Sequence, residues 1–128
     1  KFIITTQVVS MIIYIIFPNR QDLRPTEFVN ENLFTFIMGL IYKFDTSTNV
    51  CPSLHVAYSI GIASTFLKEK SVSKLSKTLI TVFCFMICIS VAFVKQHSVV
   101  DIFAAIPVCI IAEWIAFGTY WKGKHKKN

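Results

Sequence analysis

The sequence predicts an all-α integral membrane protein: a helical bundle with about four spanning helices in this chain and one short interfacial helix. Hydrophobic residues make up 54% of the 128 residues and charged residues only 16%, against about 25% charged in a typical soluble domain. The apolar residues form long runs that short polar segments separate. A chain of this length is expected to form one domain, 1–128. Because it enters an apolar run directly after Lys1, we expect it to lack N-terminal helices.

Polar or helix-breaking residues bound each predicted helix. The first apolar run, 2–17, ends at Pro18, which is typical of a helix stop. The run 31–43 is amphipathic and too short to cross a bilayer, so we expect a helix that lies at the interface or dips into the bundle. The three remaining predicted spans are 53–67, 77–95 and 98–121.

The net charge of +6 is concentrated in two lysine-rich segments, 68–77 and 122–127. Lysines that flank apolar spans are typical of segments on the cytoplasmic side of a membrane. With four crossings, the loop 18–52 and the turn near 95–98 then share the extracytoplasmic face, and the C-terminal tail is cytoplasmic. Basic clusters are poor evidence for a nucleic-acid site when no soluble fold with aromatic side chains is predicted beside them, as is the case here. The expected partner is therefore a lipid bilayer and not a nucleic acid.

Two short polar signatures lie at the ends of apolar runs on this predicted extracytoplasmic face. Titratable groups at the mouths of membrane helices are costly and typically functional. His97 and Asp101 are four residues apart, a spacing that places both side chains on one face of a helix. A carboxylate on one imidazole nitrogen leaves the other nitrogen to attack or to accept a proton. His55, in the other signature, could protonate a leaving oxygen. The signatures are Cys51-Pro52-Ser53-Leu54-His55 and His97-Ser98-Val99-Val100-Asp101.

The same face carries groups suited to a phosphate-sized anion. Ser53 precedes the first turn of a predicted helix, whose free backbone amides attract anions. Two histidines beside such an anion site indicate phosphoryl transfer through a phosphohistidine. The candidate cations on this face are Arg20, Arg24, Lys43 and Lys95.

The signatures resemble those of the type 2 phosphatidic acid phosphatase superfamily. Pro52-Ser53-Leu54-His55 looks like the PSxH signature of that superfamily. Ser90, His97 and Asp101 are similar to its last signature, in which a Ser-Arg pair precedes a histidine and then an aspartate. Arg24-Pro25 looks like the end of its first signature. Lys95-Gln96-His97 also resembles the divergent branch that contains lipid phosphotransferases of the inositol-phosphorylceramide synthase type.

The resemblance implies a role for each candidate residue. His97 would be the nucleophile, Asp101 its orienting partner and His55 the general acid. Ser53 and Arg24 would bind the phosphate, with Lys95 and Ser90 as further candidate ligands. The reaction would need no metal and no cofactor.

Two cationic positions of the superfamily pattern are apolar in this chain. Phe17 stands where the pattern has a lysine, and Val91 stands where it has the last arginine. Lys95 is a candidate to replace one of these charges, and Arg20 or Lys43 the other. The departures put the class of substrate in question more than the fold.

Several functions remain open from the sequence. The favoured one is a lipid phosphate or diphosphate phosphatase, and the second is a lipid headgroup phosphotransferase in which a lipid hydroxyl replaces water. A non-catalytic lipid-binding domain is the third; Phe17 and Val91 favour it, whereas the intact His55, His97 and Asp101 argue against it. A zinc hydrolase is a weaker option, since two histidines and one aspartate could hold zinc.

Overall fold

Five helices form the described part of the chain, which has no strand. The computed structural model describes residues 1–25, 28, 30, 32–44, 48–94 and 97–125, except for the side chains of 121 and 123–125. The all-α prediction is confirmed, and each predicted helix has a counterpart. The helices are α1 (Phe2–Ile16), α2 (Leu33–Phe44), α3 (Leu54–Lys68), α4 (Lys74–Phe93) and α5 (Val99–His125).

Capping serines set the beginnings of α3 and α4. Ser53 Oγ accepts a hydrogen bond from Val56 N at 3.4 Å, and Ser73 Oγ accepts one from Ser76 N at 3.1 Å. Each bond satisfies a backbone N–H group that has no partner within the helix. The cap at Ser53 fixes where the helix that carries His55 starts.

Helix α3 lies at the centre of the bundle and packs against α1, α4 and α5. Small side chains line these contacts, and a Cβ atom at Gly61 would collide with the ring of Phe2. Small residues allow helix backbones to approach closely, as they do in membrane bundles. The core residues are Phe2, Val56, Ala57, Val91, Ala105, Cys109 and Ala112.

Two of the described helices are long and apolar enough to cross a membrane, fewer than the four predicted. They are α4 and the Val99–Tyr120 part of α5. Helices α1 and α3 have 15 residues each, or about 22 Å at 1.5 Å per residue, whereas the hydrocarbon core of a bilayer is about 30 Å thick. The predicted number of full spans was too high because the predicted runs 2–17 and 53–67 are already this short, and the chain leaves the helix at Phe17 and Glu69 as they imply.

The two long helices expose most of their apolar side chains. Only 11% of the apolar window of α4 and 28% of that of α5 are buried. The core helix of a soluble protein buries most of its apolar surface, whereas a helix that faces lipid does not. The exposed side chains of α4 include Phe83, Phe85, Met86 and Phe93. This surface indicates membrane association.

A charged pair joins α3 to α5 at the end of α3 away from His55. Lys68 Nζ lies 2.6 Å from Glu113 Oε1, and Ser64 Oγ donates to Glu113 Oε2 at 2.7 Å. The Lys68 ammonium also lies 4.4 Å from the centroid of the Phe117 ring. Only 13% of the Lys68 side chain and 25% of the Glu113 side chain are exposed. Each charge therefore depends on the other for compensation.

Replacing Glu113 with alanine is expected to lower the free energy of unfolding by about 2 kcal/mol, because the partly buried Lys68 loses its carboxylate. The double variant Lys68→Met, Glu113→Leu is expected to recover most of this loss, since apolar side chains replace both charges. Thermal unfolding in detergent measures both effects. Asp22→Ala removes a carboxylate whose ion pair with Arg20 is exposed, and it should leave the melting temperature nearly unchanged. A Glu113→Ala protein that unfolds at the wild-type temperature would show that the pair contributes no net stability.

Candidate active site

The two polar signatures meet at one end of the bundle. The first occupies the beginning of α3, and the second occupies the turn from α4 into α5. Ser53 N donates a hydrogen bond to the backbone oxygen of Asp101 at 3.2 Å. This bond joins the two signatures directly through the backbone.

His97 lies between Asp101 and His55. His97 Nε2 is 3.3 Å from His55 Nδ1, and the two rings meet edge to face. On its other side, His97 Nδ1 is 3.8 Å from Asp101 Oδ2, which is ion-pair range and longer than a hydrogen bond. His97 and Asp101 are buried, whereas His55 is exposed. The three side chains form a row that runs from a buried carboxylate to an accessible imidazole.

The neighbours of His97 assign its tautomer. A carboxylate can only accept, so the tautomer that suits this contact has its proton on Nδ1, the nitrogen 3.8 Å from Asp101. Nε2 then keeps its lone pair and accepts from His55 Nδ1. The tautomer of His97 is thus assigned from the groups that face its two ring nitrogens. An imidazole nitrogen with a lone pair, held by a carboxylate on the opposite nitrogen, is equipped to act as a nucleophile or base.

Hydrogen bonds to neutral N–H groups hold the buried Asp101 carboxylate, whose residue is only 1% exposed. Ser98 N donates to Asp101 Oδ2 at 2.7 Å, and Gln21 Nε2 donates to the same oxygen at 2.6 Å. Gln21 Nε2 also lies 3.2 Å from Ser98 Oγ, and its Oε1 accepts from Ser98 N at 3.2 Å. A carboxylate removed from water needs such donors to remain charged.

The chain segment after α1 holds the first signature in place. Asn19 Oδ1 accepts hydrogen bonds from Val50 N and Cys51 N at 2.8 and 3.0 Å. Asn19 Nδ2 donates to Cys51 O at 2.9 Å. Tyr14 OH, near the end of α1, donates to Pro52 O at 2.6 Å. These bonds satisfy backbone groups of an irregular segment, which has no helical hydrogen bonds to pair them.

Sequence reasoning missed Asn19 and Gln21. Both lie in a polar loop, where composition predicts only that the chain is not helical. The available signal was their position just ahead of Arg24-Pro25, in a segment expected to share a face with both signatures.

Ser53 and Arg24, the predicted phosphate ligands, occupy different surroundings. Ser53 is fully buried, and its hydroxyl oxygen caps α3 beside Asp101. Arg24 Nη1 donates to the backbone oxygen of Tyr42 at 3.2 Å, and its guanidinium carbon lies 5.0 Å from the centroid of the Tyr42 ring. Tyr42 OH in turn donates to Val94 O at 2.7 Å, next to the turn that carries His97. The structure therefore brings Ser53 to the histidine row, whereas the contacts described for Arg24 are with α2.

Ser90 lies on the exposed side of α4, and its hydroxyl donates to Ile87 O at 2.9 Å. The contacts described for Ser90 do not reach either histidine. Helix α4 ends at Phe93 and the chain turns before His97, so the seven-residue spacing does not continue along one helix face. Lys95 lies outside the described residues.

The two apolar departures from the superfamily pattern have different surroundings. Val91 is 3% exposed and belongs to the core, where an arginine would bring an uncompensated charge. Its backbone oxygen accepts from His97 N at 3.2 Å, so the position still supports the site. Phe17 is exposed. The candidate replacement Arg20 pairs with Asp22 at 3.2 Å, and Lys43 is exposed on α2.

A cysteine thiol also faces the site. Burial raises the pKa of the Cys51 thiol to about 11, and the hydrogen bond with Asp101 and its negative charge add to the rise. The thiol is therefore protonated at neutral pH and can donate to the carboxylate. Cys51 is a neighbour of the row and not its nucleophile.

Removing the Asp101 charge is expected to make Cys51 more reactive. In a protein whose other three cysteines are replaced by serine, Asp101→Asn should speed alkylation of Cys51 several-fold at pH 8, because a lower thiol pKa increases the thiolate fraction. The measurement is the rate of modification by a maleimide in detergent. Asp22→Asn, which removes an exposed carboxylate, is the matched control and should leave the rate unchanged. An unchanged rate in Asp101→Asn would contradict the contact between this carboxylate and the thiol.

Within the described residues, no group of three or more His, Cys, Asp or Glu side chains is arranged to hold a metal ion. The row of His55, His97 and Asp101 has the elements of a nucleophile, its orienting group and a proton donor.

Comparison with protein-family models, curated proteins and solved structures finds no match to this chain.

Proposed function

We propose that this chain is a membrane-embedded, metal-independent lipid phosphate or diphosphate phosphatase that acts through a phosphohistidine. The observation that carries the proposal is the position of His97, with Nδ1 toward the buried Asp101 and Nε2 toward the exposed His55. A binding domain does not need an imidazole oriented in this way, whereas a nucleophile does.

The row of side chains supports a two-step reaction. In the first step, His97 Nε2 attacks phosphorus, a P–N bond forms, and the bond from phosphorus to the lipid oxygen breaks. His55, as the imidazolium, donates a proton to the departing oxygen and becomes neutral, so the lipid leaves as an alcohol, or as a phosphorylated lipid when the substrate is a diphosphate. In the second step, water loses a proton to His55 and attacks phosphorus, and the P–N bond breaks. Inorganic phosphate leaves, and His97 regains its lone pair at Nε2.

His55 can move to admit a phosphoryl group between the two imidazoles. The 3.3 Å between the two imidazole nitrogens must widen when a phosphoryl group enters between them. His97 is held by its surroundings, but His55 is exposed and can rotate. The leaving oxygen then lies opposite the attacking nitrogen, on the His55 side, as in-line displacement requires.

The membrane setting supports a lipid as the substrate. The site lies at the turn that joins the apolar spans α4 and α5. Helix α2, which reaches this turn through the bond from Tyr42 OH to Val94 O, exposes apolar side chains that include Phe34 and Phe44. We place this end of the bundle at the extracytoplasmic surface, because Lys68, Lys70 and Lys74 lie at the opposite end. The chain is then a multi-pass protein whose active site faces lipid phosphates of the outer leaflet. Ser53, Arg24 and Lys95 are the proposed phosphate ligands.

The test is phosphate release from a panel of lipid phosphates and diphosphates, in detergent and with excess chelator. Release that survives the chelator supports a metal-independent phosphatase. Release that the chelator abolishes would overturn the metal-independent mechanism. No release from any substrate would overturn hydrolysis; labelled headgroup that then appears on an added acceptor lipid would identify a phosphotransferase. Binding of lipid phosphate without either reaction would identify a non-catalytic domain.

A further inference from the structure

We infer that Gln21 is a positioning residue that holds the Asp101 carboxylate beside His97. The inference rests on the proposed function in one respect, since it takes Asp101 as the group that orients His97. Gln21 touches neither histidine in the described contacts and acts through the carboxylate.

The side-chain amide of Gln21 fits its position in only one orientation. Its Nε2 faces a carboxylate oxygen of Asp101 at 2.6 Å, and only a donor is stable there. Its Oε1 faces the N–H group of Ser98 at 3.2 Å, which requires an acceptor. Because nitrogen and oxygen each meet a complementary partner, the amide cannot be turned over without losing both bonds.

The hydrogen bond from Gln21 to the Asp101 carboxylate comes from the Gln21 side chain, so a substitution at position 21 can remove it. Among the hydrogen bonds described at Asp101 Oδ2, the other donor is the backbone N–H group of Ser98, which any residue at position 98 except proline supplies. The Cys51 thiol also faces this carboxylate. Asp101 is almost completely buried, so water does not replace a lost donor easily. The residue at position 21 therefore decides whether Oδ2 has a second neutral donor.

The segment that carries Gln21 is itself fixed to the other signature. Two residues earlier, Asn19 bonds to the backbone of Val50 and Cys51 through its side chain, and its backbone oxygen accepts from Asn49 N at 2.6 Å. One short segment, 19–21, thus contacts both signatures. This anchoring allows a flexible glutamine side chain to define the position of a carboxylate on another element.

Several titratable groups face the Asp101 carboxylate from the surrounding elements. His97 precedes α5, Cys51 lies ahead of α3, and Tyr14 belongs to α1. His55 contacts the nitrogen of His97 that faces away from Asp101. All of these remain in a variant at position 21, so a difference from the wild type reports the loss of the Gln21 amide.

The experiment compares Gln21→Leu with the wild-type full chain, with lipid phosphate as substrate. Without the amide, the Asp101 carboxylate loses a side-chain donor and holds His97 less firmly. The expected result is a fall in kcat of about tenfold with little change in KM, because Gln21 acts on the nucleophile and does not contact the substrate. Asp22→Asn, an exposed neighbour of Gln21, is the control with unchanged kcat and KM.

A second variant and a second readout keep the test decisive. Gln21→Glu keeps the shape of the side chain but places an acceptor against Asp101 Oδ2, so its kcat is expected to fall at least as far as that of Gln21→Leu. The ¹³C signal of the Asp101 carboxyl carbon, assigned by Asp101→Asn, should shift at constant pH in both variants because its hydrogen bond is lost, whether or not the protein is active. If this signal shifts in a protein that releases no phosphate, the proposed function fails and the role of Gln21 stands. An unshifted carboxyl signal, or a change in KM with an unchanged kcat, would overturn the inference.

Discussion

Phosphate release is expected to fall by about 10³-fold or more when His97 is replaced by alanine, since the variant lacks the nitrogen that would form the covalent intermediate. Alanine removes the side chain but keeps the backbone bond from residue 97 to Val91 O, so the turn between α4 and α5 retains its anchor. The measurement is the initial rate of phosphate release in detergent with chelator, at matched protein concentration.

The third histidine of the chain offers a matched control for His97. His125 lies at the C-terminal end of α5, and His125→Ala should leave the rate unchanged. Brief reaction with ³²P-labelled lipid phosphate should label the wild type with a group that acid removes and alkali does not, and should leave His97→Ala unlabelled. If His97→Ala kept its fold and more than about a tenth of the wild-type rate, His97 would not be the nucleophile.

The helices could be predicted from the sequence because their causes are local. Apolar runs bounded by Pro18, by the segment ahead of Ser53 and by the lysine-rich loop place α1, α3 and α4 within a few residues of where they lie. The number of full spans was overestimated because the runs 2–17 and 53–67 were counted as crossings although they are shorter than a bilayer requires, and α1 and α3 have this same short length.

The site could be predicted only where its geometry follows from one helix or from the topology. Asp101 lies in the first turn of α5 and His97 two residues before the helix begins, and this spacing still brings their side chains within 3.8 Å. Alternation of the helices brings the beginning of α3 to the same end. Gln21 is different, because its role depends on the path of an irregular segment toward Asp101, 80 residues away in sequence. Ser90 fails to join the row for the converse reason, since its spacing from His97 is interrupted by the end of α4.

The second large effect is expected at His55, and it should depend on the leaving group. His55→Gln is expected to lower phosphate release from a lipid phosphate by about 10²- to 10⁴-fold, because an alkoxide leaves poorly without a proton donor. An aryl phosphate, whose phenolate leaves without protonation, should lose about tenfold or less. The comparison of kcat/KM for the two substrates in wild type and variant measures the difference.

This dependence separates a proton donor from a residue that merely supports His97. His55 is an exposed side chain that contacts His97 through one nitrogen, so its removal leaves the burial of Asp101 and the bonds to Gln21 intact. If His55 only oriented His97, both substrates would lose the same factor, since both need the same nucleophile. An equal loss would therefore make His55 a positioning residue, and the source of the proton would have to be sought elsewhere. A selective loss on the lipid phosphate would assign the two imidazoles to the two halves of the reaction, one forming the P–N bond and the other protonating the oxygen that leaves.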